Sequence, residues 1–130
     1  MSRGFKEVAE KHRAYGKKVS AHGEELIIHP RTTLPVRADV GSAGYDFSTP
    51  VDLRILPGEQ EVVWTNVKAY MEPDEVLLLF LRSSIGIKKG LTLANGTGVI
   101  DASYYENPSN DGNIGICIKN NTGKTFIAGA

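Results

Sequence analysis

Apolar residues recur along this chain in short alternating runs broken by glycine and proline, a pattern of strands joined by turns. Val51, Leu53 and Ile55 alternate with polar neighbours and run into Leu56-Pro57-Gly58-Glu59, whose Pro-Gly pair fits the centre of a type II turn. Val62, Trp64, Val67, Ala69 and Met71 predict the next strand, with a change of phase at Thr65-Asn66 that marks a bulge. Pro73-Asp74 closes it. Glu75 to Leu81 is apolar on both faces and predicts a buried central strand. Ile114, Ile116 and Ile118 alternate with Gly115, Cys117 and Lys119 in a later strand; Asn120 to Gly123 form a turn, and Thr125 to Ala128 begin a last strand. A short strand, Leu26 to His29, lies in an otherwise looped stretch from Ala21 to Arg37. Only at the N-terminus does the period change. There Phe5, Val8, Ala9, His12 and Tyr15 have helical spacing, and Gly16 could cap the helix they predict.

At 130 residues the chain has the size of one domain. Fifteen basic residues balance fifteen acidic ones, so no global charge draws it to nucleic acid or anionic lipid, and an anionic ligand must be met locally. The longest apolar run, Val76 to Leu81, is too short to cross a membrane, and Met1 to Glu10 contains no apolar signal region; a soluble, cytoplasmic protein is expected. The single cysteine, Cys117, cannot form an internal bridge and reads as a small buried thiol. His12, His22 and His29 have no Cys or His partner at ligand spacing, so no structural metal is expected. Gly123-Lys124-Thr125 lacks the earlier glycine and the strand-loop-helix context of a phosphate loop.

Three stretches combine glycine with polar or charged groups beyond what packing requires: Gly41 to Asp46, Arg82-Ser83-Ser84, and Gly98 to Tyr104. The second follows the most hydrophobic strand, so its guanidinium fork and hydroxyls either hold phosphate oxygens or form a solvated strand end. In the third, Asn95-Gly96 makes a tight turn and Asp101 follows two apolar residues; its carboxylate either acts on a ligand or hydrogen-bonds its own turn.

In order and spacing, these stretches resemble the trimeric dUTP diphosphatase (dUTPase) family over most of Leu34 to Ala130. Gly41 to Phe47 resembles its first motif, Ala-Gly-Tyr-Asp-Leu, with Phe47 for leucine. Arg82-Ser83-Ser84 resembles the second, usually Arg-Ser-Gly, and Gly98 to Tyr104 the third, with Asn95 where the family has an asparagine at the base-binding hairpin. The resemblance implies an all-β fold, a distorted antiparallel β-barrel of jelly-roll type (the β-clip), assembled as a homotrimer with shared active sites. It also implies hydrolysis of dUTP to dUMP and pyrophosphate with Mg²⁺.

Carried over residue by residue, Asp101 would be the general base for a water on the α-phosphorus, a role worth about 10² to 10⁴ in rate. Arg82 and Ser83 would stabilise phosphate charge, Ser84 would add a backbone donor, and Asp46 would either meet the metal through water or hold its own turn. Asn95 and the backbone of Gly98, Val99 and Ile100 would read the uracil, Gly115 would close the pocket, and Tyr104 would exclude a ribose 2′-hydroxyl. The chain departs from the family after Tyr104, where Tyr105 to Asp111 replaces a short Arg-Gly-Glu turn. Residues 1–130 are expected to form a single dUTPase-like domain lacking the family's fourth and fifth motifs. That leaves a second reading, a non-catalytic nucleotide-binding or regulatory scaffold. The related dCTP deaminases need a glutamate where Cys117 stands, and a neutral thiol cannot shuttle the protons of deamination.

Overall fold

The computed structural model describes residues 2–14, 16–19, 23, 25–28 and 32–129. Among them the strands are β1 (Gly4–Glu7), β2 (Gly16–Val19), β3 (Glu25–Ile28), β4 (Leu53–Ile55), β5 (Gln60–Trp64), β6 (Val67–Tyr70), β7 (Val76–Leu79), β8 (Leu91–Leu93), β9 (Gly98–Asp101), β10 (Gly115–Asn120) and β11 (Phe126–Ala128), with one helical turn, α1 (Ser83–Gly86). Every pairing is antiparallel: β1 with β6, β2 with β3, β4 with β11, β7 with β9, and β10 between β5 and β8. Short strands that exchange partners around a common interior make the distorted barrel.

The predicted type II turn is present. Gly58 has φ +78° and the Glu59 amide donates to the Leu56 carbonyl at 3.0 Å. The phase change at Thr65-Asn66 is a larger event than a bulge, because the chain there leaves the β5–β10 pairing and enters the β1–β6 pairing. Asn66 turns the corner at φ +59° and is fully buried. Its side chain accepts from the Ala14 amide at 2.8 Å and donates to the Ala14 carbonyl at 3.0 Å, while its own amide donates to Asn113 Oδ1 at 2.9 Å.

The N-terminal helix is not formed. Gly4–Glu7 pairs with β6 and a 3-10 turn occupies Glu10–His12; Tyr15, the last residue of the predicted helical stripe, lies outside the described residues, as does His29. Phe5 meets Tyr45 and Phe47 edge-on, with ring centroids 5.4 and 5.5 Å apart, so tertiary contact overrides helical spacing.

Two apolar clusters fill the interior. Leu53, Ile55, Val63, Leu91, Leu93 and Ile118 form one, and Ala69, Met71, Leu79 and Ile114 the other, with Ile116 packed against both. The Glu75–Leu81 strand is not buried on both faces: Leu79 faces the core, but Leu78 and Phe80 are 47% and 69% exposed. Among the described residues β7 pairs with β9 alone, and its outward side chains, Val76 and Leu78 with Phe80 beyond it, are exposed.

Candidate active site

β9 leads the third glycine-containing stretch along one wall of a cleft of about 730 Å³. Gly98 stands opposite Leu79, where a Cβ would come within 2.8 Å of the leucine Cβ, so only glycine fits. Gly115 on β10 stands opposite Trp64, and a Cβ there would come within 2.7 Å of the indole ring. Asn95 sits in the β8–β9 turn, where Gly96 has φ +77° and donates to the Leu93 carbonyl at 3.0 Å. Asn95, Gly98, Val99, Ile100, Asp101, Tyr104 and Gly115 all line this cleft.

Asp101 ends β9 and is exposed. It precedes the 3-10 turn Ala102–Tyr104 without capping it through its side chain, so the carboxylate is not engaged by its own turn. Tyr104 is half-buried and packs against the second apolar cluster. Its hydroxyl donates to the Asn113 carbonyl at 2.6 Å and accepts from Asn110 Nδ2 at 2.7 Å. An exposed carboxylate beside an aromatic wall and a row of backbone amides suits a planar ring and a water attacking next to it.

A second cleft, of about 830 Å³, contains Asp46, Arg82, Tyr45 and Phe47, and shares Leu79, Leu93 and Ile116 with the first. Arg82 does not line the cleft that holds Asp101. β7 ends at Leu79, and Arg82 stands before α1, where its carbonyl accepts from the Ile85 and Gly86 amides, each at 2.9 Å. Ser83 and Ser84 open that helical turn and are exposed. The Asp46 amide donates to the Val36 carbonyl at 2.8 Å, fixing the first motif by an isolated bridge. Among the described residues no group of three His, Cys, Asp or Glu side chains is assembled for a metal.

Sequence reasoning missed Gln60, Val62 and Trp64, which line the first cleft. They occupy alternate positions of β5, opposite Lys119, Cys117 and Gly115, and so share its outer face once the register is known. Cys117 is half-buried and lines the same cleft, correcting its reading as a core thiol.

The 105–111 loop stands beside Tyr104. Lys68, almost fully buried, pairs with Asp111 at 2.9 Å and Glu106 at 3.5 Å, and lies 5.4 Å from the centre of the Tyr105 ring. Burial, with the Glu106 carboxylate beside it, pushes the Tyr105 phenol up to about 12. Burial alone would raise the Asp111 carboxyl, but the Ala9 amide and Lys68 outweigh it and hold it below its ordinary range.

The dUTPase family profile matches residues 31–129. A deoxyuridine 5′-triphosphate nucleotidohydrolase of Lactococcus lactis is 42% identical over 94 residues, covering 72% of this chain and 63% of the relative. The crystal structure of dUTPase from Streptococcus mutans superposes with a TM-score of 0.76 at 38% identity, covering 98% of this chain and 86% of that one. A D95N mutant dUTPase from phage phi11 of S. aureus, described with a structural Mg(II) ion, superposes with a TM-score of 0.62 at 28% identity, covering 94% of this chain and 61% of that one. The chain spans between about half and two thirds of the length of the curated relatives it matches. No helix among the described residues is long and apolar enough to cross a membrane.

Proposed function

The chain belongs to the dUTPase family, and from that premise we propose that it hydrolyses dUTP to dUMP and pyrophosphate, with Asp101 as general base, in the cytoplasm. The observation that carries this reading is the convergence of Asn95, Gly98, Val99, Ile100, Asp101, Tyr104 and Gly115 on one cleft, with the Asp101 side chain not capping its own turn. In this reading the uracil edge meets Asn95 and the β9 backbone, and donors placed for its carbonyl are left unpaired by cytosine. Tyr104 closes on the deoxyribose and leaves no room for a 2′-hydroxyl. The Asp101 carboxylate takes the proton of a water directed at the α-phosphorus, and the bond to the bridging oxygen breaks in line.

Arg82 and Ser83 stabilise the phosphate chain, with Ser84 contributing a backbone amide. They do so from a neighbouring copy, because Arg82 and Asp101 of one chain line different clefts. The homotrimer with shared sites is therefore part of the proposal, and the exposed apolar residues of β5, β7 and β9 are the faces it would cover. Mg²⁺ would neutralise and orient the triphosphate. A cation that keeps its waters and binds mainly substrate phosphates needs no protein cage, which fits Asp46 as a single carboxylate in the cleft of Arg82.

The test is pyrophosphate release from dUTP, dTTP, dCTP and UTP with and without Mg²⁺, for wild type and Asp101→Asn. Turnover of dUTP alone, reduced about 10² to 10⁴-fold in Asp101→Asn, is the expected outcome. A variant at the wild-type rate removes Asp101 from the chemistry. Tight dUMP binding without turnover of any nucleotide would make the chain a binding scaffold.

A further inference from the structure

Tyr104 is held at both ends by asparagines of the loop that follows it. The donor order of this network is fixed by groups with no choice. The Asn113 carbonyl can only accept, so the Tyr104 hydroxyl donates to it at 2.6 Å and has a lone pair left for Asn110 Nδ2 at 2.7 Å. The Gly112 amide can only donate, so Asn110 turns Oδ1 toward it at 3.1 Å and its NH₂ group toward the phenol. The Ser109 and Asn110 amides donate to Asn107 Oδ1 at 3.0 and 3.1 Å. Asn107 Nδ2 is thereby aimed at Asn110 Oδ1 and at the Tyr104 carbonyl, both at 2.8 Å.

We propose that Asn110 is a positioning residue that sets the discrimination between deoxyribose and ribose by fixing the Tyr104 ring. The inference rests on the reading of Tyr104 as the wall against a 2′-hydroxyl. A wall excludes one extra oxygen only if it cannot yield, and a shift of about 1 Å in a supporting group is enough to spoil such a site. The ring cannot swing outward without breaking the phenol's bonds to both Asn110 and Asn113, and Asn110 cannot follow it without giving up its bonds to Asn107 and Gly112. Asp111 anchors the far side of the loop to the Ala9 amide and to Lys68. Specificity for the sugar thus comes from the 105–113 segment, which contains the residues that replace the family's short Arg-Gly-Glu turn.

Asn110→Asp keeps the Oδ1 acceptor for Asn107 and Gly112 but puts a second acceptor where the phenol had its donor, and the phenol's one proton can serve the new carboxylate or the Asn113 carbonyl, not both. Tyr104→Phe keeps the ring and removes the tether. Both variants are compared with wild type for kcat/KM on dUTP and UTP, and for dUMP and UMP affinity read from the fluorescence of Trp64, the chain's single tryptophan, which lines the same cleft. The expected result is a fall of about tenfold in the deoxy-to-ribo ratio in each variant, in binding and in turnover, with the double variant no worse than Tyr104→Phe. A merely structural role would weaken both sugars alike and leave the ratio at its wild-type value; a folded Asn110→Asp protein with that ratio overturns the proposal. Should Asn110→Asp not fold, a folded Tyr104→Phe protein with full discrimination overturns it equally. Wild type that binds dUMP and UMP alike refutes the reading of Tyr104 itself, a different failure from a preference that survives both substitutions.

Discussion

Asn66 combines three things that a substitution would remove together: a left-handed backbone, complete burial and a side-chain amide bonded through both its oxygen and its nitrogen. Besides the Ala14 bonds, its Oδ1 accepts from Asn113 Nδ2 at 3.0 Å. Asn66→Ala should therefore cost about 2–4 kcal/mol, from lost hydrogen bonds, stranded partners and positive φ, measured as a lower midpoint in urea denaturation. Asn66→Gly relieves only the backbone part and should fall between. Gly115 makes a complementary case. A methyl at 2.7 Å from the Trp64 ring must push the indole aside, so Gly115→Ala should destabilise by about 1–3 kcal/mol and weaken dUMP binding, read by calorimetry. Sequence alone registered Asn66 as a break in alternation. It could not reveal a corner between two sheets, because that depends on Asn113 and Ala14, residues distant in the chain.

β4, β5, β6, β10 and β11 and the turn at Pro57-Gly58 were legible because alternation and Pro-Gly chemistry act locally. The N-terminal segment was not, since Phe5 is held by Tyr45 and Phe47 and by pairing with β6, none of which leaves a mark on its own spacing. The outer face of β7 misled for another reason: an apolar run does not by itself place both of its faces in the chain's own core. The site divided similarly. Motif residues stood out by composition, whereas Trp64 and Gln60 belong to the cleft only through the β5–β10 register. The 105–111 loop makes an element-scale prediction. The folded-state pKa of Asp111 lies below its ordinary value of 3.8, so its stabilising contribution is complete above that value and disappears as pH falls through the lower, folded one. Glu106, lowered by its hydrogen bond with Tyr105 and by Lys68, acts in the same direction. Wild type should exceed Asp111→Asn in thermal midpoint near neutrality, and the two curves should converge below about pH 4, as followed by circular dichroism.

Among the described residues, the exposed apolar side chains include Val62, Trp64, Val76, Leu78, Phe80 and Val99, which lie in or beside the β5, β7 and β9 strands. If copies of the chain cover this surface, Leu78→Asp should leave a folded monomer in light scattering with dUTP turnover lost, since Arg82 would no longer reach the Asp101 of another copy. A monomer with full activity would refute the shared site. The pairing scheme has a temporal consequence as well. Ile55 waits for Phe126, and Val63 and Leu93 wait for Ile116 and Ile118, so much of the first core has no partner until the last strands exist. On a ribosome emitting this chain from its N-terminus, β4, β5 and β8 emerge as unpaired edges. The barrel can close only once β10 and β11 have emerged, and the nascent chain is most open to aggregation just before β10 appears.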